Sequence, residues 1–247
     1  VTHEQNAFPG ITTKALCKYV DKVLLAVPEA KKHLKDGPEY TVVGNPIRED
    51  IIFADREKAR QKFGVGERVC LVSFGGSLGA RVLNEAVVDV IEWHHKKDQV
   101  HHIHATGKHD VTYVKQLLEQ KHLDVQQNPH IDVREYIDDM ADCLAAADLV
   151  ICRAGAITLS ELQAQGKASI LIPSPNVAEN HQYHNAMAMV NRDAAMIIEE
   201  KDLTSQLLCK TVEDLFAKTG KVEEMAANAK KMAILDANER IYKIIKD

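Results

Sequence analysis

The 247-residue sequence predicts an α/β fold, a doubly wound parallel sheet preceded by the end of a second unit of the same kind. Three observations carry this expectation. From Asp55 onward, apolar strands alternate with helical stretches. The strands are continuous Val/Ile/Leu runs, as in a parallel sheet covered on both faces. The first 55 residues do not fit inside that repeat, and their two apparent strands need more sheet than they contain.

In order, "RVCLVSF" (68–74) reads as a buried strand, and "GGSLGA" turns into the helix "ARVLNEAVVDVIEWHHK". "QVHHIHATG" (99–107) is the next strand, followed by the helix "HDVTYVKQLLEQKHL" and the strand "IDVREYI" (131–137). "DDMADCLAAA" is a short helix, "DLVICR" (148–153) a strand, and "AITLSELQAQG" a helix that stops at Gly166. "ASILIP" (168–173) is a strand, "HQYHNAMAMVNRD" a helix and "AAMIIEE" an edge strand, before closing helices over 204–219 and 221–233. This is a Rossmann-like domain over 56–233. Upstream, "PGITTKALCKYV" is a helix, "KVLLAV" a strand, "EAKKHL" a short helix and "YTVVGNPIRED" a strand running into a linker at 48–55. Val1 and Thr2 resemble a strand end meeting the polar loop His3-Glu4-Gln5-Asn6. The expectation is therefore that 1–47 is the remnant of an N-terminal domain. The amphipathic segment 234–247 carries Ile241, Ile244 and Ile245 on one side, and is expected to dock back towards that domain.

Composition narrows the function. Apolar residues are 45%, charged residues 27% and aromatics 5%, with a net charge of -5. Sparse aromatics disfavour stacking platforms for single strands, and the negative balance disfavours a phosphate-backbone footprint, so no nucleic-acid partner is expected. Five cysteines without C-x-x-C spacing point to a reducing, cytoplasmic setting. No apolar run approaches the roughly 18 residues of a membrane span.

In a doubly wound domain, ligands sit beyond the carboxyl ends of the strands. "SFGGSLGA" puts Gly75, Gly76, Gly79 and Ser77 at one such end, opening a helix whose N-terminus favours an anion. The pattern is G-G-x-x-G, and the next strand ends Ala105-Thr106-Gly107 without an acid, which disfavours a dinucleotide. "CRAGAITLSE" brings Arg153 to a strand end, then Ala154-Gly155-Ala156 and a helix with Thr158 and Glu161 on one face. Thr-x-x-Glu is equally a capping box. Alternatively, the helix N-terminus meets a pyrophosphate and Glu161 meets two ribose hydroxyls. "YIDDM" offers the Ile137 backbone to a base edge, or Asp138 or Asp139 as an N-cap. "NHQYHNA" offers Asn180, His181, Gln182, His184 and Asn185 to sugar hydroxyls, or Asn180 as a cap. Arg48 in "GNPIR" is a candidate phosphate partner. Histidines 94, 95, 101, 102 and 104 are placed so as to point in different directions, and no metal site or cofactor is expected.

"HEQNAFPG", "GNPIR", "GGSLGARVLNEAV", "YIDDM", "CRAGAITLSEL" and "NHQYHNA" occur in the order and spacing of the MurG family, and the resemblance covers essentially the whole chain. It implies the GT-B fold and an inverting transfer of N-acetylglucosamine from UDP-N-acetylglucosamine to lipid I, forming lipid II in peptidoglycan synthesis. It also implies a peripheral location on the inner face of the cell membrane. Carried over, Arg48 and Ser77 contact the pyrophosphate, and Ile137 meets the uracil through its backbone. Ala156, Ile157 and Thr158 line the diphosphate, and Glu161 holds the ribose. His181 and Gln182 face the sugar, and Asn6 reaches in from the N-terminal side. Two positions depart from the family pattern: Leu78, where Gln is frequent, and His181, where some members have Gln. The family's general base is expected in the N-terminal domain, so the chain alone is expected to bind donor without turnover. A nucleotide-sugar-binding subunit and another GT-B enzyme acting on a UDP-sugar are the alternatives.

Overall fold

A computed structural model describes residues 1–97 and 99–246. It contains two parallel sheets. The first has the order β1 (Thr2–Glu4), β2 (Lys22–Leu25), β3 (Glu39–Val42). The second has the order β6 (Ile131–Arg134), β5 (Val100–Ala105), β4 (Val69–Phe74), β7 (Leu149–Cys152), β8 (Ala168–Leu171), β9 (Ala195–Ile197). All pairings are parallel, with Phe74 level with Ala105 on one side and Cys152 on the other. The chain winds outward in both directions from β4, so the topological switch point lies between β4 and β7.

The second sheet is covered on both faces, as its unbroken apolar strands require. On one face, α6 (Met140–Ala146), α7 (Ala156–Gln165) and α8 (His181–Val190) bury Leu144, Leu162 and Met189 against Val72, Val150 and Leu171. On the other, α4 (Arg81–His94), α5 (Val111–Gln120) and α9 (Ser205–Ala217) bury Leu83, Val114 and Leu208 against Leu71, Leu149 and Ile170. Each fully buried aliphatic side chain contributes about 1.5–3 kcal/mol. α10 (Lys221–Lys231) packs on α7 and β8. Gly166 ends α7 in a left-handed conformation, as the sequence predicts. The first sheet has its own small apolar layer of Cys17, Val23, Leu25 and Ala30, with α1 (Ile11–Leu16) beside β1. The five cysteines are free.

Two helices were not anticipated. α2 (Glu49–Ile52) and α3 (Arg56–Phe63) occupy and follow the stretch read as a linker. For α3 the signals are Asp55, whose side chain accepts from the Lys58 N–H, and the left-handed Gly64. α3 packs against α6 because Asp148, at the start of β7, pairs with both Arg56 (2.5 Å) and Arg60 (3.1 Å). Arg56, Arg60 and Lys167 also donate to the carbonyls that end α6, between Ala145 and Ala147. These cations neutralise the negative end of that helix. α11 (Ala237–Lys246) is amphipathic as expected, with Tyr242 and Ile245 largely exposed and its root near Gly44. The predicted end of that helix at Asp247 lies outside the described residues. Both edges of the large sheet are blunted: β9 has 3 residues, and β6 carries the ion pair Asp132–Arg134.

Three of the five histidines, His94, His102 and His104, converge, whereas His101 faces the other side of β5 towards His130. His102 and His104 lie on one face of β5 and meet Ser73 of β4 and His94 of α4. His104 Nδ1 donates to the Ser73 carbonyl (3.2 Å) and lies 2.8 Å from Ser73 Oγ. Ser73 Oγ is 2.8 Å from His102 Nε2, and His102 Nδ1 is 2.8 Å from His94 Nε2. With one proton per ring, a single ordering satisfies the chain: His104 to Ser73 to His102 to His94. Burial lowers His94 and His104 to about 4 and His102 well below its ordinary value. The unfolded chain therefore binds more protons than the folded one below about pH 6.5, and stability falls as pH falls. The urea midpoint is expected to drop steadily from about pH 6.5 towards about pH 4, with a shallower slope in a His102→Leu variant. A flat wild-type profile would contradict the neutral array.

Candidate functional site

The cleft lies at the carboxyl edge of the large sheet, at the switch point. Its volume is about 570 Å³, and it is lined by Gly75 to Val82, Arg153, Gly155, Thr158, Ser174, Asn176, Gln182 and Glu200. Ser77 is exposed in the glycine turn between β4 and α4. That turn is braced from below. Gly79 (φ +93°) and Gly107 (φ +77°) touch so closely that a Cβ on Gly107 would lie 2.1 Å from the Gly79 nitrogen. Lys108 and His109 donate backbone N–H groups to the carbonyls of Ser77 and Leu78. Asn84 and Arg81, from the first turns of α4, both bond to Asp110. The turn is thus held rigid while its upper side stays open. The buried histidine array lies in the strands directly beneath it.

α7 supplies the second half of the cleft. Its N-cap position is Gly155, with Ala156 first in the helix and Thr158 in the first turn. The capping-box reading of Thr158 and Glu161 is therefore incorrect, because Thr158 lies inside the helix. No side chain caps this end, which leaves its first backbone N–H groups without a side-chain partner, the arrangement that suits an anion. Ile157 is 38% exposed there. Glu161 is half-buried, and burial raises its carboxyl above the ordinary value while nearby Arg48 opposes the rise. Arg48 stands at the N-cap of α2, exposed and 3.4 Å from Asp50. So loose a surface pair holds the guanidinium weakly. Ile137 has its side chain buried in the core beside α6. Asp139 takes the N-cap position of α6, yet its carboxylate pairs with Lys62 (2.7 Å) and Arg134 (3.0 Å) rather than capping.

Among the "NHQYHNA" residues, Gln182 reaches the cleft and accepts from the Ser174 N–H (2.9 Å). His181 is not among the residues that line the cleft, and its Nδ1 is bonded to the Ala178 carbonyl. Asn180 adopts a left-handed conformation (φ +49°) and makes no capping bond, contrary to the capping expectation. His184 stacks on Phe8 at 4.5 Å, and Asn185 turns away from the cleft. Asn185 Oδ1 accepts from the Ala7 N–H (2.7 Å), and its Nδ2 donates to Asn6 Oδ1 (3.0 Å) and the Ala154 carbonyl (3.2 Å). Asn6 is thereby brought from the first sheet to the end of β7. The buried Glu4 holds the loop beneath it, accepting from the N–H groups of Asn6 and Gly10.

Sequence reasoning did not single out Asn45. It is buried at the exit of β3, and its Nδ2 reaches Ser160 Oγ (3.0 Å), the Gln5 carbonyl (3.3 Å) and the Ala156 carbonyl (3.5 Å). One amide therefore joins the first sheet to the first turns of α7. Its position between Gly44 and Pro46 was the available signal. The structure brings Ser77, Thr158 and Gln182 into one cleft, with Ala156, Ile157, Glu161 and Arg48 around the adjoining side of α7.

Such an edge, with a glycine turn and an uncapped helix N-terminus either side of the switch point, defines a class of α/β ligand-binding domain. Residues 69–241 match the glycosyltransferase family 28 C-terminal domain, and the chain belongs to that family. It is 45% identical over 248 residues to the UDP-N-acetylglucosamine--N-acetylmuramyl-(pentapeptide) pyrophosphoryl-undecaprenol N-acetylglucosamine transferase of Acetivibrio thermocellus, covering 100% of this chain and 66% of that protein. The crystal structure of Acinetobacter baumannii MurG aligns with a TM-score of 0.78 at 27% identity, over 99% of this chain and 65% of that one. The S. aureus MnaA-UDP co-structure aligns at 0.72 with 13% identity, over 99% of this chain and 68% of that one, a likeness of fold. The chain thus spans 66% of the length of the first of these relatives.

Asn45→Ala is expected to cost about 1–3 kcal/mol, because it strips a buried donor from several acceptors at once. Urea unfolding measures this, and a change below about 0.5 kcal/mol would remove Asn45 as the joint between the sheets.

Proposed function

We propose that this chain is the donor-binding part of an inverting glycosyltransferase. The reaction moves N-acetylglucosamine from UDP-N-acetylglucosamine to lipid I, giving lipid II for peptidoglycan synthesis. The observation that carries this reading is the 570 Å³ cleft in which the glycine turn before α4 and the uncapped first turn of α7 face each other. The name of the Acetivibrio thermocellus relative supports the choice of sugar and acceptor.

In this reading the backbone does most of the binding. The N-termini of α4 and α7 converge on the diphosphate, with Ser77 and Arg48 adding a hydroxyl and a cation. Ala156, Ile157 and Thr158 present the α7 amides. Glu161 accepts the two ribose hydroxyls, which selects a ribonucleotide. The Ile137 backbone pairs with the uracil edge, and Gln182 and His181 face the sugar. Asn6, held by Asn185, closes the site from the first sheet.

When an acceptor hydroxyl attacks the anomeric carbon, the bond to the diphosphate breaks and UDP departs with the electron pair. Preorganised N–H groups at the developing charge lower that barrier. The deprotonation of the acceptor needs a general base, and none of the residues named here is assigned to it. No cofactor is invoked. The proposed division is 1–47 as part of an acceptor-binding unit, 48–55 as a linker, 56–233 as the donor-binding domain and 234–247 as a helix docking towards the first unit. Among the described residues no helix is long and apolar enough to cross a membrane. We place the protein peripherally on the cytoplasmic face, where lipid I would be met.

Calorimetric titration tests the reading. The chain is expected to bind UDP-N-acetylglucosamine more tightly than UDP-glucose and not to bind NAD, with Glu161→Ala losing about tenfold or more in affinity. No heat from UDP-N-acetylglucosamine, with the chain folded, would overturn it.

A further inference from the structure

The cleft contains an ion pair that the donor-site reading does not use. Arg153 leaves the end of β7, and its Nη1 donates to the carbonyls of Ile172 (3.1 Å) and Pro173 (3.2 Å). Its Nη2 donates to Glu200 Oε2, and the side chains are only 15% and 18% exposed. The guanidinium is therefore turned towards the end of β8 and away from the glycine turn, although both line the same cleft.

A secluded ion pair is a poor source of stability, because desolvating two charges offsets their attraction. A lone carboxylate here would also repel a diphosphate. Arg153 removes that objection by cancelling the charge, and it leaves a carboxylate fixed in place. Of the two Glu200 oxygens, only Oε2 is engaged among the described residues. Glu200 also borders a second cavity of about 480 Å³, beside Val82, Pro173 and Tyr183, and so stands where the two spaces meet. A neutralised carboxylate with an unengaged oxygen is a strong acceptor for hydroxyl groups.

We infer that Glu200 accepts hydrogen bonds from the hydroxyls of the donor's hexose ring, with Arg153 as the positioning residue that holds its carboxylate there. This rests on the donor-site reading above. It adds a determinant for the sugar, separate from those proposed for the nucleotide.

Titration of the full chain with UDP and with UDP-N-acetylglucosamine separates the two claims. In Glu200→Ala, UDP is expected to bind within about twofold of wild type, whereas UDP-N-acetylglucosamine weakens by about tenfold. Glu200→Asp retains the charge beside Arg153 but withdraws the oxygen by one methylene, and is expected to show the same selective loss. It also serves if the alanine variant fails to fold. Parallel losses for both ligands would mean a purely structural pair and overturn the inference alone. So would unchanged affinity for the sugar nucleotide. A folded wild type that binds neither ligand would overturn the donor site itself, and this inference with it.

Discussion

Two buried side-chain amides carry the junction on which the site depends. Asn45 and Asn185 each bond to backbone of the loop after β1 and of the segment that follows β7. A primary amide suits this role because it offers donors and an acceptor without a charge to desolvate. The bonds end on the segments that shape the cleft: the loop holding Asn6, the turn after β7 and the first turns of α7. The position of the first sheet and the geometry of the α7 N-terminus are therefore not independent. A shift of one displaces the other.

The cleft itself relies on partial charges more than on full ones. Two helix N-termini and an exposed glycine turn supply donors, and the nearby full charges are mostly paired. Partial charges cost little to bury and need no reorganisation when a ligand arrives. The price is rigidity underneath, met by the contact of Gly79 with Gly107 and by the neutral histidine chain between β4 and β5. The same strands that present the glycine turn are thus tied together below it.

Much of this was legible in the sequence. Continuous apolar strands announced a sheet covered on both faces, and every strand and most helices of the large sheet fall where the pattern places them. The glycine turn and the close-approach turn Ala154-Gly155-Ala156 were legible because backbone exposure needs small residues at particular positions. What was not legible is what depends on pairs far apart in the chain. Asn45 looks like part of a linker until Ser160 is beside it. Asn185 looks like a sugar ligand until Ala7 and Asn6 consume its hydrogen bonds. His94, His102 and His104 look scattered because Ser73, which links two of them, lies on a neighbouring strand. The Thr158–Glu161 spacing mimicked a cap because helix boundaries are uncertain by a residue or two, and here two residues decide between a cap and an open N-terminus.

The blunted margins of the large sheet bear on how the molecule behaves at high concentration. An open row of backbone donors and acceptors invites another chain to add a strand, and parallel sheets keep two such rows. Here one row is only 3 residues long, and the other is guarded by Asp132 and Arg134. A neighbouring molecule would have to bury those charges to gain a few backbone bonds. The large sheet thus keeps its two flanks poor templates for strand addition.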